Sequence, residues 1–158
     1  MSTPELHLLL LGIGFVAGLR TVTAPAAVVW GVRLGWLNLH GTPFAFLGST
    51  VALVFFTIGA LGEFVTDQLP STPARTVPVQ FGARIVTGAF SGAALALAAG
   101  HSMFTGIILG AIGAIAGTLG GYHARKSLVA GLKVPDAAIA VPEDILAIAL
   151  AFLIVSRF

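Results

Sequence analysis

Apolar residues run through this chain in long blocks broken by short polar stretches, without the strict alternation that marks half-buried strands. Blocks of this length predict helices that are apolar on most faces. The first, LHLLLLGIGFVAGLRT, follows Thr3-Pro4-Glu5, which reads as a helix start with proline in the first turn. Its apolar part before Arg20 is too short to cross about 30 Å of hydrocarbon. The helix is therefore expected to continue into VTAPAAVVWGVRLGW, where Pro25 removes a donor and predicts a kink or unwound turn near residues 20 to 25. Arg20 would then lie inside the membrane or at its rim. After NLHGTP, further spans are expected over about 44 to 65, 81 to 99 and 104 to 122, with a last span from Pro142 to the C-terminus. The proline-framed LPSTPARTVP cannot be regular helix, and the polar HARKSLVAGLKVPD separates the last two spans. The expected fold is an all-α polytopic membrane helix bundle of about five spans, with the first span kinked or broken. Residues 1 to 158 form a single transmembrane domain.

Composition fits a membrane protein: 57% hydrophobic, 9% charged and a mean hydropathy of +1.02. The absence of cysteine excludes disulfides, thiol catalysis and thiolate metal sites. A net charge of +2 with no basic stripe gives no case for nucleic acid. The N-terminus lacks the basic region and cleavage site of a signal peptide and is expected to stay on the mature protein. Trp30, Trp36 and Tyr122 read as interfacial anchors.

Twenty glycines bring small residues into register. Gly88, Gly92, Ala96 and Gly100 recur every four residues, and Gly106, Gly110, Gly113, Gly117 and Gly120 recur at steps of four and three. Each series predicts a groove into which a neighbouring helix, or a second copy in a homo-oligomer, packs closely. GFVAG at 14 to 18 also matches GAIAG at 113 to 117, so units 4–70 and 103–158 are candidates for an inverted repeat; chance matching of Gly and Ala explains it equally well.

Scarce charge sharpens the picture. Glu63 and Asp67 lie four apart near the negative end of a helix, where repulsion and the helix dipole both oppose them. A cation, a proton, or Arg20, Arg75 or Arg84 must compensate. Five spans bring Glu143 and Asp144 to the same level, giving a four-carboxylate cluster rimmed by arginines that could bind a cation or a coupling proton. Plainer readings stand beside this one. Glu143 and Asp144 suit the first turn after Pro142, Asp67 suits a solvated interface, Arg20 can snorkel, and Arg75 can brace its loop. His7, His40, His101 and His123 lack ligand spacing. The basic residues favour a cytoplasmic N-terminus in the plasma membrane with the C-terminus outside, and a re-entrant first segment would change this.

The motifs GLRTVTAPAAVVW, GEFVTDQLPSTPART, GTLGGYHAR and VPEDILAI together resemble a family of small bacterial integral membrane proteins known only as a domain of unknown function. The resemblance covers about residues 10 to 150 and rests on Gly18 to Arg20, Glu63, Asp67, Leu69-Pro70, Pro73-Ala74-Arg75-Thr76 and Glu143-Asp144. Gln68 departs from it, where lysine is the commoner residue. The resemblance implies a membrane bundle with a shared polar site and names no ligand.

The expected function is a small transporter or channel for an ion or small polar solute, acting within the lipid bilayer. Glu63, Asp67, Arg20, Glu143, Asp144 and Arg75 form its binding site. No cofactor is expected, and a divalent cation on Glu63 and Asp67 is the alternative. Two other readings stay open: a membrane enzyme that cleaves a lipid phosphate or pyrophosphate with a carboxylate-bound metal, and an accessory subunit whose glycine faces dock a larger partner.

Overall fold

A computed structural model describes residues 1–67, 75–133 and 135–158; Gln68, Leu69-Pro70 and Pro73-Ala74 lie outside them. The described residues form six α-helices and no strand: α1 (Thr3–Leu19), α2 (Thr23–Arg33), α3 (Thr50–Thr66), α4 (Pro78–Ala98), α5 (Met103–Leu132) and α6 (Asp136–Val155). A 3-10 turn over Ala45–Gly48 leads into α3. Three segments are long and apolar enough to cross a membrane: α4, α5 and Ala138–Val155 of α6. Helix α3, at 17 residues, is apolar but shorter, and it turns Val51, Val54, Phe55, Ile58, Leu61 and Val65 outward. Outward apolar side chains at this density suit a helix bordered by lipid.

Helix starts follow local chemistry. Ser2 and Glu5 form a reciprocal cap on α1. The Ser49 hydroxyl accepts from the Ala52 N–H to open α3. Pro78 begins α4, where a missing N–H costs nothing.

The core is a three-helix contact of α1, α4 and α5, set by glycine. Gly88 and Gly92 of α4 face Gly110 and Gly106 of α5 so closely that a Cβ on any of the four would strike backbone. Gly113 and Gly117, on another face of α5, meet the backbone of Leu11 and Phe15, while Gly14 and Gly18 meet Gly110 and Ala114. Close approach of this kind maximises dispersion contact where lipid offers no hydrophobic driving force. Both seams are used within the chain. Gly100 is not part of its predicted groove; it lies beyond α4 with φ +70, in the left-handed conformation that ends the helix. Gly120 is exposed and a Cβ there would be no nearer than 4.0 Å to Phe15.

Contacts along α6 fix how the chain runs. Arg20, just past α1, pairs with Asp144, and a Cβ on Gly12 would meet Ile154, so α1 and α6 are antiparallel. Gly31, near the far end of α2, packs against Val155. The chain therefore turns back at residues 20–22, and α2 returns along the bundle instead of extending α1. Sequence reasoning expected the first span to continue past Arg20 through a kink or unwound turn near residues 20 to 25, with a re-entrant first segment as the alternative; the residues outside helix are 20–22, and Pro25 lies beyond them in the first turn of α2, where it is compatible with helix.

The register also bears on the proposed repeat. Leu11 lies on Gly113 and Phe15 on Gly117, so α1 and α5 run parallel. An inverted repeat needs matched helices to run in opposite directions. GFVAG and GAIAG are thus contact partners in a parallel pair and not inverted copies.

Two boundaries differ from expectation. Helix α5 runs unbroken through HARKSLVAGL to Leu132, and its 30 residues span about 45 Å, more than the hydrocarbon needs. Helix α6 begins at Asp136, with Pro142 inside it. Glu143 and Asp144 are therefore beyond the first turn, and their role as simple N-terminal acids is lost.

Candidate functional site

The turn between α1 and α2 lies where α1, α3 and α5 approach their C-terminal parts and α4 and α6 their N-terminal parts. By the rise of an α-helix, Arg84 is about 9 Å in from the start of α4, so the site sits below the end of the bundle. Reversal within a helical bundle frees peptide groups that no helix satisfies, and such groups need partners where water is scarce. Two charged side chains from other helices supply them.

On the donor side, Glu63 in the last turn of α3 takes the N–H groups of Thr21 and Val22. Thr21 N–H donates to Glu63 Oε1 at 2.6 Å and Val22 N–H donates to Oε2 at 2.8 Å. One carboxylate thus receives a two-point fork at the positive end of α2, which has no side-chain cap of its own. On the acceptor side, Arg84 Nη1 donates to the carbonyls of Gly18 at 3.0 Å and Leu19 at 2.7 Å. Thr118 Oγ1 of α5 lies 3.2 Å from Gly18 O and shares its single proton between that carbonyl and the nearer Ala114 O. Gly18 makes this approach possible, because a side chain there would strike the backbone of Ala114 and Thr118.

A second layer surrounds Arg20, which is 2% exposed. Its guanidinium lies 3.3 Å from Asp67, pairs with Asp144, and stacks 4.6 Å from the centre of the Phe64 ring. Glu63, Phe64 and Asp67 share the final turn of α3, so one turn presents a carboxylate to the break, a ring to Arg20 and a second carboxylate to Arg20. Burial with two carboxylates rules out a snorkelling Arg20, and the pairing takes Asp67 out of a purely solvated role.

The outer layer joins Arg75 and Glu143 by two bonds, 2.7 Å from Nη1 and 3.0 Å from Nη2, with Arg125 of α5 at 3.5 Å from Glu143. Gly121 admits this pair, since a Cβ there would meet Arg75 Nη1 and Leu19. Arg75 therefore ties the chain ahead of α4 to α6.

All six sequence-predicted site residues come to this end of the bundle. They do not form an open carboxylate cluster, because each acid faces an arginine or a pair of peptide N–H groups. Among the described residues no three of His, Cys, Asp and Glu are grouped to hold a metal ion. Glu63 and Asp67 point to different partners, so these two carboxylates do not converge on one cation in this arrangement.

Sequence reasoning left Arg84, Thr118 and Phe64 off the site. Arg84 carried a signal, as a charge well inside an apolar helix between Gly82 and Gly88, and it was weighed only as a partner for Glu63. Thr118 carried none, since a threonine in an apolar helix commonly bonds back to its own chain, as it does here to Ala114 O at 2.8 Å. Trp30 is also reassigned: its Nε1–H donates to Thr57 Oγ1 at 3.1 Å and pins α2 to α3.

Among the described residues the buried Arg20 Nη1, Arg20 Nη2 and Asp144 Oδ1 have ion-pair partners but no hydrogen bond, whereas Arg84 Nε and Thr23 Oγ1 at the break have neither. Compared with known protein families, curated proteins and solved structures, the chain matches none.

Proposed function

We propose that this chain is a small membrane transporter for an ion or small polar solute, in which the α1–α2 hairpin closes the path and Glu63 is the coupling carboxylate. One observation carries the reading: the freed peptide N–H groups of a broken helical element, inside the bundle, are held by a titratable side chain of another helix. A structural break needs only fixed partners, such as serine or amide groups. Closing it with a carboxylate links the conformation of the hairpin to a proton or to a competing ligand. Interrupted helices whose exposed ends meet charged groups are the usual means by which transporters build such sites. The resemblance to a family with Gly-Leu-Arg, Glu-Asp and late Glu-Asp motifs supports a shared polar site, and membership of that family is part of the proposal.

In the bilayer, α3 to α6 cross and the α1–α2 hairpin enters and leaves from the face that carries both chain ends. Arg75, Arg125, Lys126 and Lys133 lie toward the cluster end, while Arg33 and Arg157 lie toward the other. The positive-inside rule makes the cluster end cytoplasmic in the plasma membrane, with both termini outside. This replaces the cytoplasmic N-terminus expected from five spans, because the chain reverses once more than that count allowed.

The test is flux. Purified protein in liposomes is expected to move protons or solute down an imposed gradient, and Glu63→Gln is expected to reduce the rate at least tenfold while the helical signal is retained. Equal flux in the two proteins removes Glu63 from the mechanism. No flux of any solute in folded wild type removes the transport reading.

A further inference from the structure

We infer that the break between α1 and α2 is a receptor for a small carboxylate anion, which Glu63 occupies in the closed state and which a free carboxylate enters together with one proton. The inference rests on the transport reading and names the class of solute.

The binding chemistry is on view in the occupant. Two adjacent N–H groups, of Thr21 and Val22, address the two oxygens of one carboxylate at 2.6 and 2.8 Å. That fork, at the positive end of an 11-residue helix, recognises carboxylate shape whether or not the group is tethered to α3. Glu63 alone does not exhaust the polar groups around it. Arg84 is 3% exposed and its guanidinium is fixed at the break by two carbonyls, yet its Nε has no partner. Thr23, 5% exposed and in the first turn of α2, has a hydroxyl with no partner. A buried unpaired donor is costly unless some state of the molecule uses it, and two of them flanking a carboxylate fork suit a ligand with more oxygens than Glu63 brings. A 2-hydroxy or 2-oxo carboxylate has that extra oxygen.

Exchange is open to α3 because it packs chiefly on α2 and the 3-10 turn, with a ring contact from Phe56 to Phe90 of α4, so it is the helix that can withdraw Glu63. Charge balance then dictates what accompanies the anion. The charged groups around the break are Glu63 and Asp67 from α3, Arg84 from α4, which interacts with Glu63, Asp67, Arg20 and Arg75, and Asp144 from α6, which pairs with Arg20; α2 carries its one charge, Arg33, at its far end. With Arg125 and Glu143, the described site holds four arginines and four carboxylates. An added anion would leave this part-buried set one negative charge in excess around the buried Arg20, Arg84 and Asp144, which is disfavoured. A proton taken from solvent by the displaced Glu63 carboxylate restores neutrality. The balanced step is one RCOO⁻ and one H⁺ bound per site, with no bond broken.

The experiment is calorimetric titration of purified wild type with acetate, lactate and dodecanoate, with chloride as control, in buffers of differing ionisation enthalpy and over a range of pH. The expected result is saturable binding of lactate, tighter than acetate, with one proton taken up and about a tenfold gain in affinity per unit fall in pH where Glu63 is ionised in the free protein. In Glu63→Gln, which carries no ionisable group there, binding persists without proton uptake. Arg84→Lys is expected to erase the preference for lactate over acetate. Binding of dodecanoate but not lactate assigns the site to a lipid-derived carboxylate and overturns a soluble solute. No carboxylate binding to folded wild type, or binding with no proton uptake, overturns the inference, and if Glu63→Gln fails to fold the wild-type proton count decides. Liposome flux is scored separately: flux without carboxylate binding leaves the transport reading standing and sinks this one, while coupled binding without flux does the reverse.

Discussion

Arg84 and Glu63 hold opposite sides of one break in the backbone: the guanidinium donates to the last two carbonyls of α1, and the carboxylate accepts from the two N–H groups that precede α2. The two side chains come from α4 and α3, and between them they satisfy two carbonyls on one strand of the turn and two N–H groups on the other. Their charges are opposite because the two ends of a helix have opposite polarity.

Removing the carboxylate should therefore loosen the turn. Glu63→Gln keeps one acceptor oxygen and is expected to cost about 2 kcal/mol, while Glu63→Leu orphans both N–H groups and is expected to cost about 3 kcal/mol. Unfolding titrations in mixed micelles read both values, and equal stability of the leucine variant and wild type would show that the fork contributes nothing.

Arg20 should behave as a buried hub. Replacing it with methionine leaves Asp144 and Asp67 without their cation, with an expected loss of about 3–5 kcal/mol. The double variant Arg20→Met with Asp144→Leu should recover much of that loss. A double-mutant cycle measures the coupling, and simple additivity would contradict a direct pairing.

The glycines divide by what faces them. Gly110→Ala drives a methyl into the Gly88 carbonyl and should cost about 1–3 kcal/mol or more, whereas Gly120→Ala has open space and should be neutral or slightly stabilising. Gly121→Ala is the informative intermediate, since it meets the Arg75–Glu143 pair: it should disturb the site's outer layer with modest loss of stability. Comparing the three by thermal unfolding tests whether the seams are structural within one chain.

Much of this was legible in the sequence. Low charge and long apolar blocks gave the membrane class and helical fold, the glycine steps predicted close helix contacts, and the acid pair at the wrong end of a helix flagged Glu63 and Asp67. What stayed hidden depends on direction. Pro25 marks a discontinuity, yet a proline at the start of a new helix and a proline that bends an old one leave the same trace, so a re-entrant first segment could be named from the sequence but not chosen over a continuing one. That one ambiguity bears on the helix directions, and through them on the inverted repeat and on the topology proposed above. Periodicity also placed Gly100 in a groove it does not join, because four-residue spacing continues past the end of a helix without notice. The arginine pairing of each acid is tertiary, set by where five helices converge, and no local pattern encodes it.

Topology can be tested by labelling, because the chain has no cysteine. Single cysteines at Thr3, Ser102 and Arg157 should react from outside intact cells with a membrane-impermeant maleimide, and one at Ser127 should react only after permeabilisation. Labelling of Thr3 and Arg157 variants from opposite sides would restore an odd number of crossings and contradict the hairpin.

The most direct measurement of the central claim is amide hydrogen exchange at Thr21 and Val22 in wild type and Glu63→Gln. If the Glu63 carboxylate is what closes the hairpin tip, both amides are protected in wild type and exchange at least tenfold faster in the variant, while the Leu95 amide in the α4 core is unchanged. Equal protection of Thr21 and Val22 in both proteins would mean that something other than Glu63 holds the turn, and the coupling role assigned to that residue would fall with it.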